Sequence, residues 1–114
     1  MLKISSREVG DVLVVDLRGQ IDGGPESAAI HDLVKKEAER GKTKFLLNMG
    51  EVPWLNSLGL GVLISAYVSA KRQNAALRLC NLSDRSLTLF RNSGVVPEVF
   101  ETFASEEEGL KSFA

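Results

Sequence analysis

A chain of 114 residues, 44% hydrophobic and 25% charged, has the length and balance of one globular domain, which excludes a disordered chain and two independent domains as readings. Fourteen Lys and Arg against fifteen Asp and Glu leave a net charge of -1 with no basic stripe, an argument against nucleic acid as the main partner. Cys80 is alone, so no disulfide forms within the chain.

In chain order, Leu2, Ile4 and Ser6 alternate with Lys3, Ser5 and Arg7, Gly10 and Asp11 offer a turn, and Val12 to Leu17 is rich in apolar residues. That pattern predicts a β-hairpin. Gly23, Gly24 and Pro25 interrupt it, with Pro25 suited to the first residue of a helix. From Glu26 to Arg40, Ile30, Leu33, Val34 and Ala38 share one face, Asp32, Lys35, Lys36 and Glu39 the other, and Gly41 ends the pattern. Phe45 to Met49 lacks alternation, as expected of a central strand covered on both faces. Ser57 to Asn74 is the second predicted helix, Leu77 to Asn81 a strand, and Ser83 to Ser93 a third helix closed by Gly94 and followed by Pro97. Val99 to Phe103 reads as a short edge strand, and Ser105 and Glu108 have capping-box spacing ahead of a last helix with Leu110 and Phe113. The order predicts an α/β fold: a single-layer mixed sheet of four or five strands with four helices, one domain over residues 1–114.

No apolar signal-peptide core is visible between Met1 and Gly10, and the longest mostly apolar stretch, Leu58 to Ala70, is short of the roughly 18 residues of a membrane span. A cytoplasmic protein without membrane insertion is expected. One His and one Cys, with no C-x-x-C or H-x-x-x-H spacing, predict no metal site, and Cys80 in an apolar run reads as a buried thiol. His31 has no sequence partner and reads as a surface or boundary residue. A hydrolase built on Ser57 and His31 lacks the G-x-S-x-G elbow, since Ser57 lies in W-L-N-S-L-G. Gly59 and Gly61 form a G-x-G too short for a phosphate cradle, and both read as sites of close helix packing. The acids Glu106 to Glu108 at a helix start complement its dipole.

Ser57 stands out by position. It falls at or beside the N-cap of the second helix, on the strand edge where open α/β sheets carry their sites, and the loop Gly19 to Gly24 with Asp22 should emerge on that edge. On the helical wheel Leu60, Leu63, Ile64, Tyr67 and Lys71 form a core stripe, while Leu58, Val62, Ser65 and Ser69 fall opposite. Either Ser57 only caps the helix, or it is a hydroxyl at the rim of a docking surface. The residues alone leave both open.

The stretch Leu46 to Ile64, L-L-N-M-G-E-V-P-W-L-N-S-L-G-L-G-V-L-I, resembles the STAS-domain family, in particular bacterial anti-sigma factor antagonists. Trp54, Leu55, Ser57, Gly59, Leu60, Gly61 and Val62 match that family's pattern of an apolar pair, D-S-S-G or D-S-T-G, and L-G-V, and Gly19 to Asp22 is similar to its G-x-L-D. The resemblance implies a non-catalytic switch. Its partners would be an anti-sigma factor that is also an ATP-dependent serine kinase, which phosphorylates Ser57 and so loses its grip, and a serine phosphatase that reverses this. Asp22 and Gly23 in the first loop, with Trp54, Asn56, Leu58, Gly59 and Val62 around the serine, would meet the kinase. ATP and magnesium would belong to the kinase, so no cofactor is implied for this chain. Two departures stand out: the family's Asp before the serine is Asn56, and its second Ser or Thr is Leu58. The alternative reading is a STAS subunit of a membrane transport complex or signalling scaffold, without phosphorylation.

Overall fold

The computed structural model describes residues 1–114. Strands β1 (Leu2–Val9) and β2 (Val12–Gly19) form an antiparallel hairpin across Gly10 and Asp11, with Gly10 at a positive φ of 61° that suits a two-residue turn. Helix α1 (Pro25–Glu39) carries the chain back to β3 (Lys44–Glu51), α2 (Ser57–Arg72) to β4 (Ala76–Cys80), and α3 (Asp84–Asn92) to β5 (Thr102–Phe103). The three pairs β2–β3, β3–β4 and β4–β5 are parallel, and the sheet order β1-β2-β3-β4-β5 follows the chain. A short helix α4 (Glu106–Lys111) closes the fold. This is the mixed single sheet with four helices that the element order implies.

Same-handed crossovers in a sequentially ordered sheet send successive helices to one face, and the side chains sort accordingly. Leu13, Val15, Leu17, Phe45, Leu47, Met49, Leu77 and Leu79 point into the large core with Ile30 and Val34 of α1, Leu63 and Ala66 of α2 and Phe90 of α3. On the opposite face Val12, Val14, Leu46 and Cys80 make a small second core under Leu110 and Phe113. Strand β3 is central and covered on both faces, with Phe45, Leu46 and Leu47 fully buried. Cys80 is buried there too, and burial pushes its thiol up to about 12, leaving it protonated and unreactive.

Local signals decide the ends of the elements. Pro25 opens α1, as anticipated. Ser105 caps α4 by accepting the Glu108 N–H at 3.1 Å, while the Glu108 carboxylate accepts from Ala104, one residue before the position a standard capping box uses. The predicted edge strand Val99 to Phe103 contracts to Thr102–Phe103, because only Leu79 and Cys80 of β4 offer a register partner.

Candidate functional site

Two loops meet at the carboxyl ends of β2 and β3. Ile21, just past β2, bridges in parallel with Leu55, just before α2, and its carbonyl accepts the Asn56 N–H at 3.3 Å. Ile21 is fully buried. Gly59, in the first turn of α2, lies so close beneath the Ile21 carbonyl that a β-carbon there would overlap the oxygen. Gly23, held at a φ of 88°, packs its backbone on Leu58 with the same lack of room. Glycine at these two positions lets one loop lie directly on the helix that begins the other. The separation in sequence between Asp22 and Ser57 is thereby erased.

Asn56, and not Ser57, is the N-cap of α2: its side-chain oxygen accepts the Gly59 N–H at 2.8 Å. Ser57 is the first helical residue and its side chain is exposed, free of any capping duty. Beside it Leu58 is 70% exposed, the most exposed large hydrophobic side chain after Met1. Trp54 is half-buried and Asp22 is exposed on the adjoining loop. Gly59 is buried in the loop contact. No Lys or Arg occurs in residues 19–34 or 45–70, so the segments that build this edge contribute only the acidic charges of Asp22, Glu26, Asp32 and Glu51.

The helical wheel of α2 needs two corrections. Val62 is half-buried against the main core rather than outward, and Ser69 is half-buried and bonded to His31 Nε2 at 2.8 Å. Both follow from α1, which lies alongside α2 and covers a flank the wheel leaves to solvent. The buried face is centred on Gly59, Leu63, Ala66 and Ala70, and the open sector holds Ser57, Leu58, Gly61, Ser65 and Val68. Lys71 reaches back over the Tyr67 ring, its Nζ 6.0 Å from the centroid. Gly61 does not share the packing role of Gly59, since nothing lies within 4 Å of a β-carbon built there.

His31 is a boundary residue linking two helices, with Nδ1 3.5 Å from Asp32. It is engaged with Ser69, about three helical turns beyond Ser57, so no Ser57–His31 pair is assembled. Sequence reasoning missed Ile21 and Ser27, the residues that tie the first loop down. Ser27 is fully buried at the third position of α1, and a serine so close to a helix start was the available signal.

The sheet face away from this edge carries a separate polar cluster. Arg7 bonds Asp16 through Nε at 2.8 Å and pairs with Glu106, Asn48 donates to Asp16 at 3.0 Å, and Asn81 and the Gly50 N–H donate to Asn48. The Arg7 guanidinium holds the Asp16 carboxyl below the usual carboxylate range against the opposing effect of burial, and Asn48 adds to it.

A family model described as the STAS domain matches residues 3–109. The chain belongs to the STAS domain family. Over 97 residues this STAS domain is 28% identical to the anti-sigma-B factor antagonist of Bacillus subtilis (strain 168), covering 85% of the chain and 86% of the relative. Its fold superposes on the phosphorylated form of the Bacillus cell fate determinant SpoIIAA with a TM-score of 0.76 at 20% identity, over 98% of this chain and 100% of that one. A sulfate transporter family protein from Wolinella succinogenes gives a TM-score of 0.72 at 19% identity, over 91% and 85% of the two chains. No helix of this STAS domain is long and apolar enough to cross a membrane.

Proposed function

We propose that this STAS domain is an anti-sigma factor antagonist, a non-catalytic regulator that binds an anti-sigma factor serine kinase and is released when that kinase phosphorylates Ser57. A serine phosphatase would restore the binding form. The observation that carries the reading is the exposed Ser57 hydroxyl at the first residue of α2, spared from capping by Asn56 and set beside the exposed Leu58. Asp22 and Gly23 of the adjoining loop and Trp54 would complete the contact, while Asn56 caps α2 and Gly59 seats it on Ile21, which holds the serine in place. The curated relative is an anti-sigma-B factor antagonist, and one protein of the same fold has been solved in a phosphorylated form.

A phosphate on Ser57 would add about -1.5 to -2 charges at the positive end of a helix, where unpaired N–H groups favour an anion. The fold would therefore tolerate it. No cation of the surrounding segments is available to neutralise it, so its charge and bulk would face the partner. Asn56 in place of the family's Asp keeps the cap and removes a negative charge beside the acceptor. The fold shared with the Wolinella sulfate transporter family protein is compatible with the second reading, a non-catalytic STAS subunit of a membrane transport complex or signalling scaffold, without phosphorylation.

Capture of partners from the host, identified by mass, followed by incubation of the captured kinase with ATP and intact-mass measurement, separates the two. One phosphate on the wild type and none on Ser57→Ala is the expected result. Phosphate uptake that survives the substitution, or no uptake from a kinase that binds, rejects Ser57 as the switch.

A further inference from the structure

The loop between β2 and α1 is held by a hydrogen-bonded knot. Helix α1 has Gly24 as its N-cap, which offers no side chain to the first turn. Two residues supply what is missing. Asp22 Oδ1 accepts the Gly24 N–H at 3.0 Å, and the Ser27 hydroxyl, fully buried, accepts the N–H groups of Asp22 at 3.1 Å and Gly23 at 3.2 Å. The same hydroxyl donates to Asp22 Oδ1 at 3.4 Å. Ser27 thus works as a capping box displaced backwards, a third-position side chain reaching beyond the cap to the residues before it. It is one of two buried polar side chains in the chain, and the loop uses both its donor and its acceptor capacity.

Asp22 itself is exposed, so the knot fixes the carboxylate from inside while presenting it outside. The far side of the loop is pinned to α2 through Ile21, Leu55 and Gly59. Position relative to Ser57 is then determined from both ends. Without the Ser27 hydroxyl, two amides lose their acceptor and the carboxylate loses a donor, and the loop between Ile21 and Pro25 is free to rotate about its glycines.

We propose that Ser27 is the positioning residue of the docking edge: its buried hydroxyl fixes the Asp22 carboxylate on a loop that lies against the start of α2, where Ser57 is, so that one partner meets both at once. This rests on the reading of Asp22 and Ser57 as parts of a single partner surface. Ser27 touches no partner and acts through Asp22.

A double-mutant cycle tests it, with the affinity of the captured kinase measured for the wild type, Ser27→Ala, Asp22→Ala and the double variant, and amide hydrogen exchange followed at Asp22 and Gly23. Ser27→Ala is expected to speed exchange at those two amides by about tenfold and to weaken binding by about five- to tenfold, yet to change binding less than twofold once Asp22 is alanine. Ser27→Cys, nearly the same in volume with a weaker hydrogen-bonding group, should move both readouts less and in the same direction, and replaces alanine if that variant does not fold. Equal losses of affinity in both backgrounds, or unchanged binding despite faster exchange, would overturn the positioning role. An Asp22→Ala variant that binds as tightly as the wild type removes Asp22 from the interface altogether, which defeats the underlying reading as well and is told apart by that single variant.

Discussion

Gly59 and Gly61 sit two residues apart on the same helix and do opposite things. Gly59 faces the Ile21 carbonyl with no room for a methyl group, whereas Gly61 faces open space. The first is glycine because the chain itself comes too close. The second has no such reason within the chain, although glycine in a helix interior costs stability. One flank of α2 is therefore committed to the fold, and the other, from Ser57 through Leu58 and Gly61 to Val68, is left uncommitted at the place where Ser57 is exposed.

That contrast can be broken by mutation. The largest effect is expected for Gly59→Ala, where the overlap with backbone forces α2 off the loop: a loss of about 3 kcal/mol, and a fall in Tm of roughly 10 °C in thermal denaturation. A variant with the wild-type Tm would show that the two loops are not clamped. Next comes Leu58→Ala, predicted to weaken kinase binding by about tenfold in a titration while moving stability by less than about 0.5 kcal/mol, because this side chain is already in water. Gly61→Ala is expected to go the other way, raising stability by about 0.5–1 kcal/mol in urea unfolding through helix propensity alone.

The smallest effect belongs to the polar half of the opposite sheet face. Arg7 depresses the Asp16 carboxyl in the folded state, so the pair stabilises the protein above the ordinary carboxylate value of about 3.9, and that contribution is lost as pH falls through this value towards the lower folded one. Asp16→Asn should therefore be slightly less stable than the wild type at pH 7, with the gap closing on acidification. Arg7 and Asp16 are both partly exposed, which keeps the difference small and salt-sensitive. A gap that persists unchanged at pH 2 in unfolding curves would assign the loss to packing rather than charge.

Much of the fold was legible from local pattern. The unalternated run Phe45 to Met49 marked the doubly covered central strand, Pro25 marked the start of α1, and Ser105 with Glu108 marked the start of α4. Ser57 at the start of α2 could be read in the same way, but that Asn56 and not Ser57 caps the helix was settled only by the Gly59 N–H bonding the Asn56 side chain. Val62 could not: a wheel drawn for one helix knows nothing of the neighbour lying along it, and α1 buries the flank that Val62 and Ser69 occupy. Gly59 and Gly61 were indistinguishable for a related reason, since what separates them is the Ile21 carbonyl, far away in the chain.

The sequence by itself determined which segments form helices and strands, the order in which they follow, and which serine begins α2, because periodicity, caps and turn residues act within a few positions of one another. Only the tertiary structure decided that Ile21 lies on Gly59, that Gly23 packs on Leu58, and that Ser27 ties Asp22 and Gly23. Those relations depend on backbone approaches between distant segments, which arise once the parallel sheet brings the ends of β2 and β3 side by side.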